Sequence, residues 1–390
     1  MALEFGKVVA QVEEMGQVLA ARAGRQRRAL PAARALLHQF AGSQAELREV
    51  AESEPGKRCR CASPDDELLD AAFPTPSLAE CITLVAVDGS QIYPDRHGLA
   101  FYYVINVGGI IFRCGSGQAP AVRTQPQLYY SEEQLYPNGY PISSDLVSAE
   151  RDLAEMRMLA EMTLSEPSGG PPRVALADGS LLRWLRRAAI PEPHQVRILA
   201  AHLECLDQLR AGGAAVAGFV SRPQSAEVVA LLYLAQLEPD VRESVNGLAE
   251  TEYRGPTDRA LFGFLKPGER SALFTRGTGE NQDFRARGHA IHSFYLNTGA
   301  DLARVELPEW VVRSPDRLDW VHAAVYEQCR FNNGYPYVLT RADETAVILG
   351  EEREALEQMI VGAMIRQGLL PPEPSRKAQQ KQVARSRKRG

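Results

Sequence analysis

Two short runs, residues 82–87 and 174–177, stay apolar instead of alternating apolar with polar, and runs of that kind fit strands buried on both faces. Such strands need helices packed on either side. Helical periodicity supplies them at 8–50, 145–163, 194–211, 224–237, 316–330 and most of 344–367. Residues 99–107 are rich in aromatic and β-branched side chains, Gly108-Gly109 interrupts them, and 110–113 resumes the pattern, which predicts a hairpin. Further strands are expected at 214–220, 291–296 and 302–307, with a turn at Gly334-Tyr335-Pro336 and mixed signals over 239–288. Three strands in succession are most simply antiparallel, and strands reached later through helices need crossovers. The expected fold is therefore α/β, a mixed sheet flanked by helices with an N-terminal helical extension. Residues 1–78 read as that helical segment and a proline-containing linker, 79–370 as the main domain, and 371–390 as a basic disordered tail.

Each apolar run ends in the same tripeptide, Asp88-Gly89-Ser90 and Asp178-Gly179-Ser180. Ordinary residue frequencies give roughly 0.1 copies in a chain of this length, so a pair after two buried strands is informative. For one copy alone, good turn chemistry is the plain alternative, and it weakens for the pair. In the second copy Gly179 suits a tight exit from the strand and Ser180 an N-cap for a helix over 181–187. In both, the aspartate is expected outside a strand end, where open α/β sheets present ligands. Two carboxylates side by side repel each other unless a cation lies between them. Oxygen-only ligation selects Mg2+ or Mn2+ over zinc, and no His or Cys cluster lies nearby. Carboxylate-held ions of that kind suit phosphoryl chemistry, activating a water and stabilising charge on the phosphate and leaving oxygen. The helix at 145–163 offers Glu150, Glu155 and Glu161, with Asp145 and Asp152, and spacing does not choose among them.

Several other residues have two readings. Arg183, Arg186 and Arg187 follow the second tripeptide on the helix expected there, whose N-terminus favours phosphate. Arg304 and Glu306 alternate with Val305 and Leu307, so both charges share one strand face, as a surface ion pair or with Arg304 on a phosphate. His289 and His292 precede or start a strand, where a histidine is more often structural than a contact to substrate. Tyr129, Tyr130, Tyr136 and Tyr140 punctuate a loop-like stretch and serve either base stacking or loop anchoring.

Charge and cysteine content narrow the classes. The net charge of −5 hides a tail of +6 over 371–390, leaving −11 for the rest, so nucleic acid would be met through local patches. That tail suits a few phosphate contacts, or simply solvation. No stretch reaches the length and hydropathy of a membrane span, and the first residues, with Glu4 and Lys7, lack a secretory apolar core. Six cysteines, only Cys59 and Cys61 of them close together, fit reduced thiols in a cytoplasmic protein.

The combination Val87-Asp88-Gly89-Ser90, Ala177-Asp178-Gly179-Ser180-Leu181, Ala303-Arg304-Val305-Glu306-Leu307-Pro308 and Gly334-Tyr335-Pro336 resembles the NurA nuclease family, over roughly residues 80–350. The resemblance implies an RNase H-like core, Mn2+-dependent (or Mg2+-dependent) 5′-to-3′ exonuclease and single-strand endonuclease activity on DNA, a homodimer, and work with the hexameric HerA translocase in resecting double-strand breaks for repair. It carries the family's metal-binding acids onto Asp88, Asp178 and a helical glutamate, Glu155, with Glu150 in reserve, and its turn tyrosine onto Tyr335. Where many members have histidine after an alanine, this chain has Asp343 after Ala342. Aspartate can ligate a metal but cannot act as a histidine-like cation near neutral pH. Arg183, Arg304 and His292 are the candidate DNA contacts. The competing readings are a catalytically weak DNA-clamping subunit of a helicase complex and a phosphatase, the latter lacking the Asp-x-Asp arrangement of a nucleophile.

Overall fold

The computed structural model describes residues 4–182, 190–249, 251, 253–277 and 279–369. Its first elements are α1 (Phe5–Gln39), α2 (Gln44–Glu52), α3 (Glu54–Arg58), β1 (Ser63–Pro64), β2 (Ile82–Ile92), β3 (Tyr103–Cys114), β4 (Ala121–Tyr129) and α4 (Glu132–Leu135). Then come α5 (Ser144–Leu164), β5 (Arg173–Asp178), α6 (Glu192–Ala211), β6 (Ala215–Val220), α7 (Glu227–Ala235), α8 (Pro239–Glu243), α9 (Asp258–Leu261) and β7 (Phe274–Thr275). The chain continues through α10 (Gly279–Ala286), β8 (Ile291–Asn297), β9 (Leu302–Pro308), α11 (Glu309–Val312), α12 (Pro315–Arg330), α13 (Tyr337–Ala346) and α14 (Gly350–Arg366). Contacts divide these into two units, one of residues 1–79, 178–183 and 215–337, the other of 80–177, 184–214 and 338–390.

In the second unit β4, β3, β2 and β5 lie side by side, antiparallel except for the parallel pair β2/β5. Three antiparallel strands, then a helix, then a parallel strand beside the first is the strand order of an RNase H-like core. The helix is α5. Ser143 caps it by accepting the Leu146 N–H, and Leu146, Val147, Leu153, Met156, Leu159 and Ala160 are buried beneath it. Helix α13 ends on the sheet, where the Ala346 carbonyl accepts from Ser90 Oγ (2.5 Å) and Asn106 Nδ2 (2.8 Å). Those two donors satisfy a carbonyl that the helix itself leaves open.

Three expectations for this unit are corrected. Gly108-Gly109 is no turn, because β3 runs straight through it. A Cβ on Gly108 would lie 2.6 Å from the Ala346 nitrogen, and one on Gly109 2.5 Å from the Met162 sulfur, so these glycines admit close neighbours on the sheet. The third antiparallel strand is 121–129, not 110–113, and Tyr129 stacks on Tyr103 of β3 at 4.4 Å between ring centroids. Finally, β2 continues past Asp88 to Ile92, since β3 goes on pairing with it after the ladder to β5 ends at Val87 and Ala177. Asp88 is thus inside a strand.

In the first unit β1, β7, β8, β9 and β6 follow one another, all antiparallel. Helix α7 is almost wholly apolar and buried. The Asp258 carboxylate, from elsewhere in the chain, caps it by accepting the N–H groups of Glu227, Val228 and Val229. Residues 51–78, expected as a linker, instead form α3 and β1 and bury Cys61, Ala62 and Leu69 in this unit's core. The long α1 is exposed along most of its first five turns. None of the six cysteines is bridged, and no helix among the described residues is long and apolar enough to cross a membrane.

Candidate functional site

In the second unit the chemistry gathers around Gly89. A Cβ there would stand 2.6 Å from Glu155 Oε1 and 2.9 Å from Arg151 Cγ, so glycine lets α5 seat these side chains closely on β2 at the residue after Asp88. Of the other glutamates of α5, Glu150 pairs with Arg197 and Glu161 with Arg123 (3.1 Å). Asp88 Oδ1 accepts the Gly89 N–H at 2.8 Å. Arg151 lies among the acids: Nε is 3.0 Å from Glu155 Oε1, Nη2 donates to Asp152 Oδ1 at 2.8 Å, and Nη1 donates to Gln91 Oε1 at 3.0 Å. Burial opposes its charge, but Glu155, Asp152 and Asp88 outweigh that and raise its pKa.

In the first unit the second tripeptide is a turn after β5. Gly179 takes φ +84°, and its N–H donates to the Phe219 carbonyl at 2.8 Å. Asp178 at its head is exposed, and Ser180 is held by Glu306, whose Oε2 accepts from Ser180 Oγ (2.7 Å) and Leu181 N (2.9 Å). Glu306 Oε1 meets Arg304 Nη2 (2.8 Å) and Arg276 Nη1 (3.1 Å), and Arg276 also pairs with Glu227 at 2.6 Å. Burial resists ionisation of Glu306, yet Arg304 and Arg276, with the Ser180 and Leu181 donors, hold its pKa below the usual carboxylate range. The expected alternation of Arg304 and Glu306 is present, but the pair is buried and not on a surface: Glu306 is fully enclosed and Arg304 6% exposed. Tyr335 follows Gly334 (φ +85°), its ring edge-on to Phe219 at 5.5 Å.

The remaining candidates are placed as follows. His292 is 3% exposed, with Nδ1 2.6 Å from Asp65 Oδ2, and His289 accepts from the Trp310 indole. Asp343 is exposed on α13, one turn before Ala346. Arg183, Arg186, Arg187, all but the first two residues of the helix expected over 181–187, and the tail at 371–390 lie outside the described residues. Sequence reasoning passed over Arg151, whose available signal was its position four residues before Glu155 on one helix face.

Asp88 follows Val87, which pairs with Ala177 on the parallel strand β5. In the second unit the carboxylates of Asp88 and Glu155 are oxygen donors of the kind a hard divalent cation takes. Among the described residues no three His, Cys, Asp or Glu side chains already converge as a metal cage; Glu155 and Asp152 are instead turned toward Arg151.

The strand order and the acids on β2 and α5 define a mixed α/β protein with an RNase H-like core. The NurA domain matches residues 82–348, more than half of the chain, and the chain belongs to the NurA family. A crystal structure of the NurA nuclease from Sulfolobus solfataricus is similar at 13% identity with a TM-score of 0.50, covering 76% of this chain and 88% of that one. A NurA structure with manganese matches at 11% identity (TM-score 0.40; 82% and 96% covered). Another, bound to dAMP and manganese, matches at 14% (TM-score 0.35; 74% and 89% covered). Likeness at these identities concerns the fold. No curated protein matches the chain.

Proposed function

We propose that this chain is a divalent-metal-dependent deoxyribonuclease, using Mn2+ or Mg2+, that cuts phosphodiesters as a 5′-to-3′ exonuclease and a single-strand endonuclease. The observation that carries the reading is the seating of the Glu155 carboxylate against Gly89, beside Asp88, in a chain of the NurA family. Asp88, Glu155 and Asp178 are the proposed ligands, with Asp343 as a further carboxylate and Tyr335 close to the reaction. A divalent cation bound there supplies charge neutralisation on the phosphate and a more acidic water for in-line attack. Glu306 serves by fixing the turn that carries Asp178, and β2 by holding Asp88 in a paired strand. The partners of this reading are DNA, single-stranded and at duplex ends, and a HerA-type hexameric ATPase in the cytoplasm, with the resection of double-strand breaks as the task.

We further infer a homodimer. Phe5, Val8, Val12, Met15 and Leu19 recur on α1 at spacings of three, four, three and four, the period of a coiled-coil seam, and all but Val8 are more than half exposed. The flanking positions Val9, Gln11, Gly16 and Val18 carry no charge that would repel an identical helix. Val12→Glu is expected to lower the mass measured by light scattering, and an unchanged mass would remove α1 from the interface.

The function is tested with end-labelled single-stranded and duplex DNA under Mn2+, Mg2+ or EDTA, beside Asp88→Ala and Asp178→Ala. Cation-dependent cleavage lost in both variants is expected. Binding without cleavage would favour the clamping subunit, and release of phosphate from small esters alone the phosphatase.

A further inference from the structure

From residue 15 to residue 45 the chain has no Asp or Glu, although 49 of its 390 residues are acidic. The same stretch holds Arg22, Arg25, Arg27, Arg28 and Arg34, all on α1. Two of them are spent within the protein. Arg34 donates to the Leu261 and Ala260 carbonyls at 3.2 and 3.0 Å, and Arg27 Nε to the Ala23 carbonyl at 3.5 Å. Among the described residues, Arg22, Arg25 and Arg28 meet no carboxylate, and Arg25 Nε is enclosed with no hydrogen-bond partner. Resting on the nuclease reading for the identity of the ligand, we propose that these three arginines form a docking surface for the phosphates of a DNA strand, made by residues outside the metal-binding set.

The geometry fits a phosphate backbone. At 3.6 residues per turn, steps of three set the three side chains about 60° apart, within a sector of about 120°, while Arg27 falls on the opposite side of the helix. They span about 9 Å of the axis, over which one DNA strand passes about three phosphates. Arg22 and Arg28 are exposed and Arg25 is half-buried. The stem of Arg25 is backed by Gly255, where a Cβ would lie 3.8 Å from Arg25 Cβ, and Arg28 Nη1 leans back to 3.6 Å from where Gly24 would carry one. Two of the three are thus braced by the chain, which reduces the entropy lost when they take a ligand. Each guanidinium presents a planar fork to phosphate oxygens, and the missing acids leave its charge to be balanced from outside. The apolar repeat of α1 ends at Leu19, so this row begins where the proposed dimer seam stops. An acidic protein surface would match the charge alone; the even spacing along one face matches a nucleic acid strand.

The experiment follows binding of fluorescently labelled single-stranded DNA to the full chain by anisotropy, in EDTA, over about 0.05–0.2 M KCl. The variants are Arg22→Gln/Arg25→Gln/Arg28→Gln, Arg22→Lys/Arg25→Lys/Arg28→Lys, and Arg27→Gln. Three lost phosphate contacts should lower the slope of log Kd against log salt by about 2 and weaken binding about a hundredfold at about 0.1 M salt. The triple lysine variant keeps the charges and should keep the slope; Arg27→Gln, off the row, should keep it too. An unchanged slope in the triple glutamine variant overturns the proposal. So does an equal fall per residue in Arg27→Gln, which would mean net charge and not a surface. If circular dichroism shows the triple glutamine variant unfolded, unchanged slopes in both Arg22→Gln and Arg28→Gln overturn it. Cleavage is read separately with Mn2+. DNA bound through the arginines but never cut overturns the nuclease reading and leaves this surface standing. DNA cut, with a slope the triple variant does not move, does the reverse, and a wild type that binds no DNA overturns both.

Discussion

Gly89→Ala puts a single methyl group into the candidate site. The backbone at Gly89 is in an ordinary conformation, so alanine brings no torsional strain there. The new Cβ would stand 2.6 Å from Glu155 Oε1, and ordinary contact begins at 3.4 Å, so the carboxylate must retreat by about 0.8 Å. Arg151 Cγ, at 2.9 Å, must give by about 0.5 Å as well. Overpacking of this kind costs about 1–3 kcal/mol, and the stiffer unfolded chain returns about 0.4–1, leaving a net loss of roughly 1–2 kcal/mol. Catalysis is far more sensitive to position: a displacement of about 1 Å costs on the order of a hundredfold. Single-turnover cleavage at saturating Mn2+, beside urea denaturation, should thus give a folded protein with activity down about a hundredfold. Adding Glu155→Asp, which shortens the side chain by one carbon, should recover part of the loss. Full activity in Gly89→Ala would refute the reasoning, because Glu155 would then be doing nothing where it stands.

Three other outcomes follow from the same geometry. Gly179→Ala meets no atom within 4 Å but must adopt φ +84°, so it should cost about 1–2 kcal/mol in denaturation through the backbone alone. Glu306→Gln leaves Arg304 and Arg276 poorly balanced in a buried network and should cost about 3–5 kcal/mol, with Asp178-dependent cleavage falling further than stability explains. Burial raises the pKa of Asp258 from 3.8 to about 6, despite the N–H groups it accepts, so the folded state binds more protons than the unfolded between those values. Its contribution to stability is full below 3.8 and is lost as the pH rises to about 6. Melting of wild type against Asp258→Asn from pH 4 to 7 should reveal that slope, roughly 3 kcal/mol in all, in wild type only.

The strands and helices with strong periodicity were legible from local residues: 145–163 became Ser144–Leu164, 194–211 became Glu192–Ala211, and 291–296 and 302–307 became an antiparallel pair. What escaped depends on distant partners. Gly108-Gly109 looks like punctuation until Thr345 and Ala346 are known to press on it. Asp88 looks like a strand terminus because the apolar run stops at Val87, yet β3 keeps pairing as far as Ile92. Tyr129 reads as a loop aromatic until Tyr103 stacks on it. Arg304 and Glu306 share a face as their alternation requires, but their burial follows from Arg276 and Ser180, neither adjacent in sequence. For the candidate site, the repeated tripeptide pointed to Asp88 and the family resemblance to Glu155, while the close approach of Glu155 to Gly89 depends on how α5 lies on β2.

The two serines of the repeated tripeptide have taken unrelated tasks, and the first sets an order of assembly. Ser90 grips the Ala346 carbonyl across 256 positions, with Asn106 beside it. During synthesis the strand bearing Asp88 leaves the ribosome long before that grip can form, a wait of roughly 13–50 s at about 5–20 residues per second. Until then β2 and β3 face the cell without the helix that covers them. If cleavage of DNA, as proposed, requires that cover, a newborn chain gains it only near the end of translation.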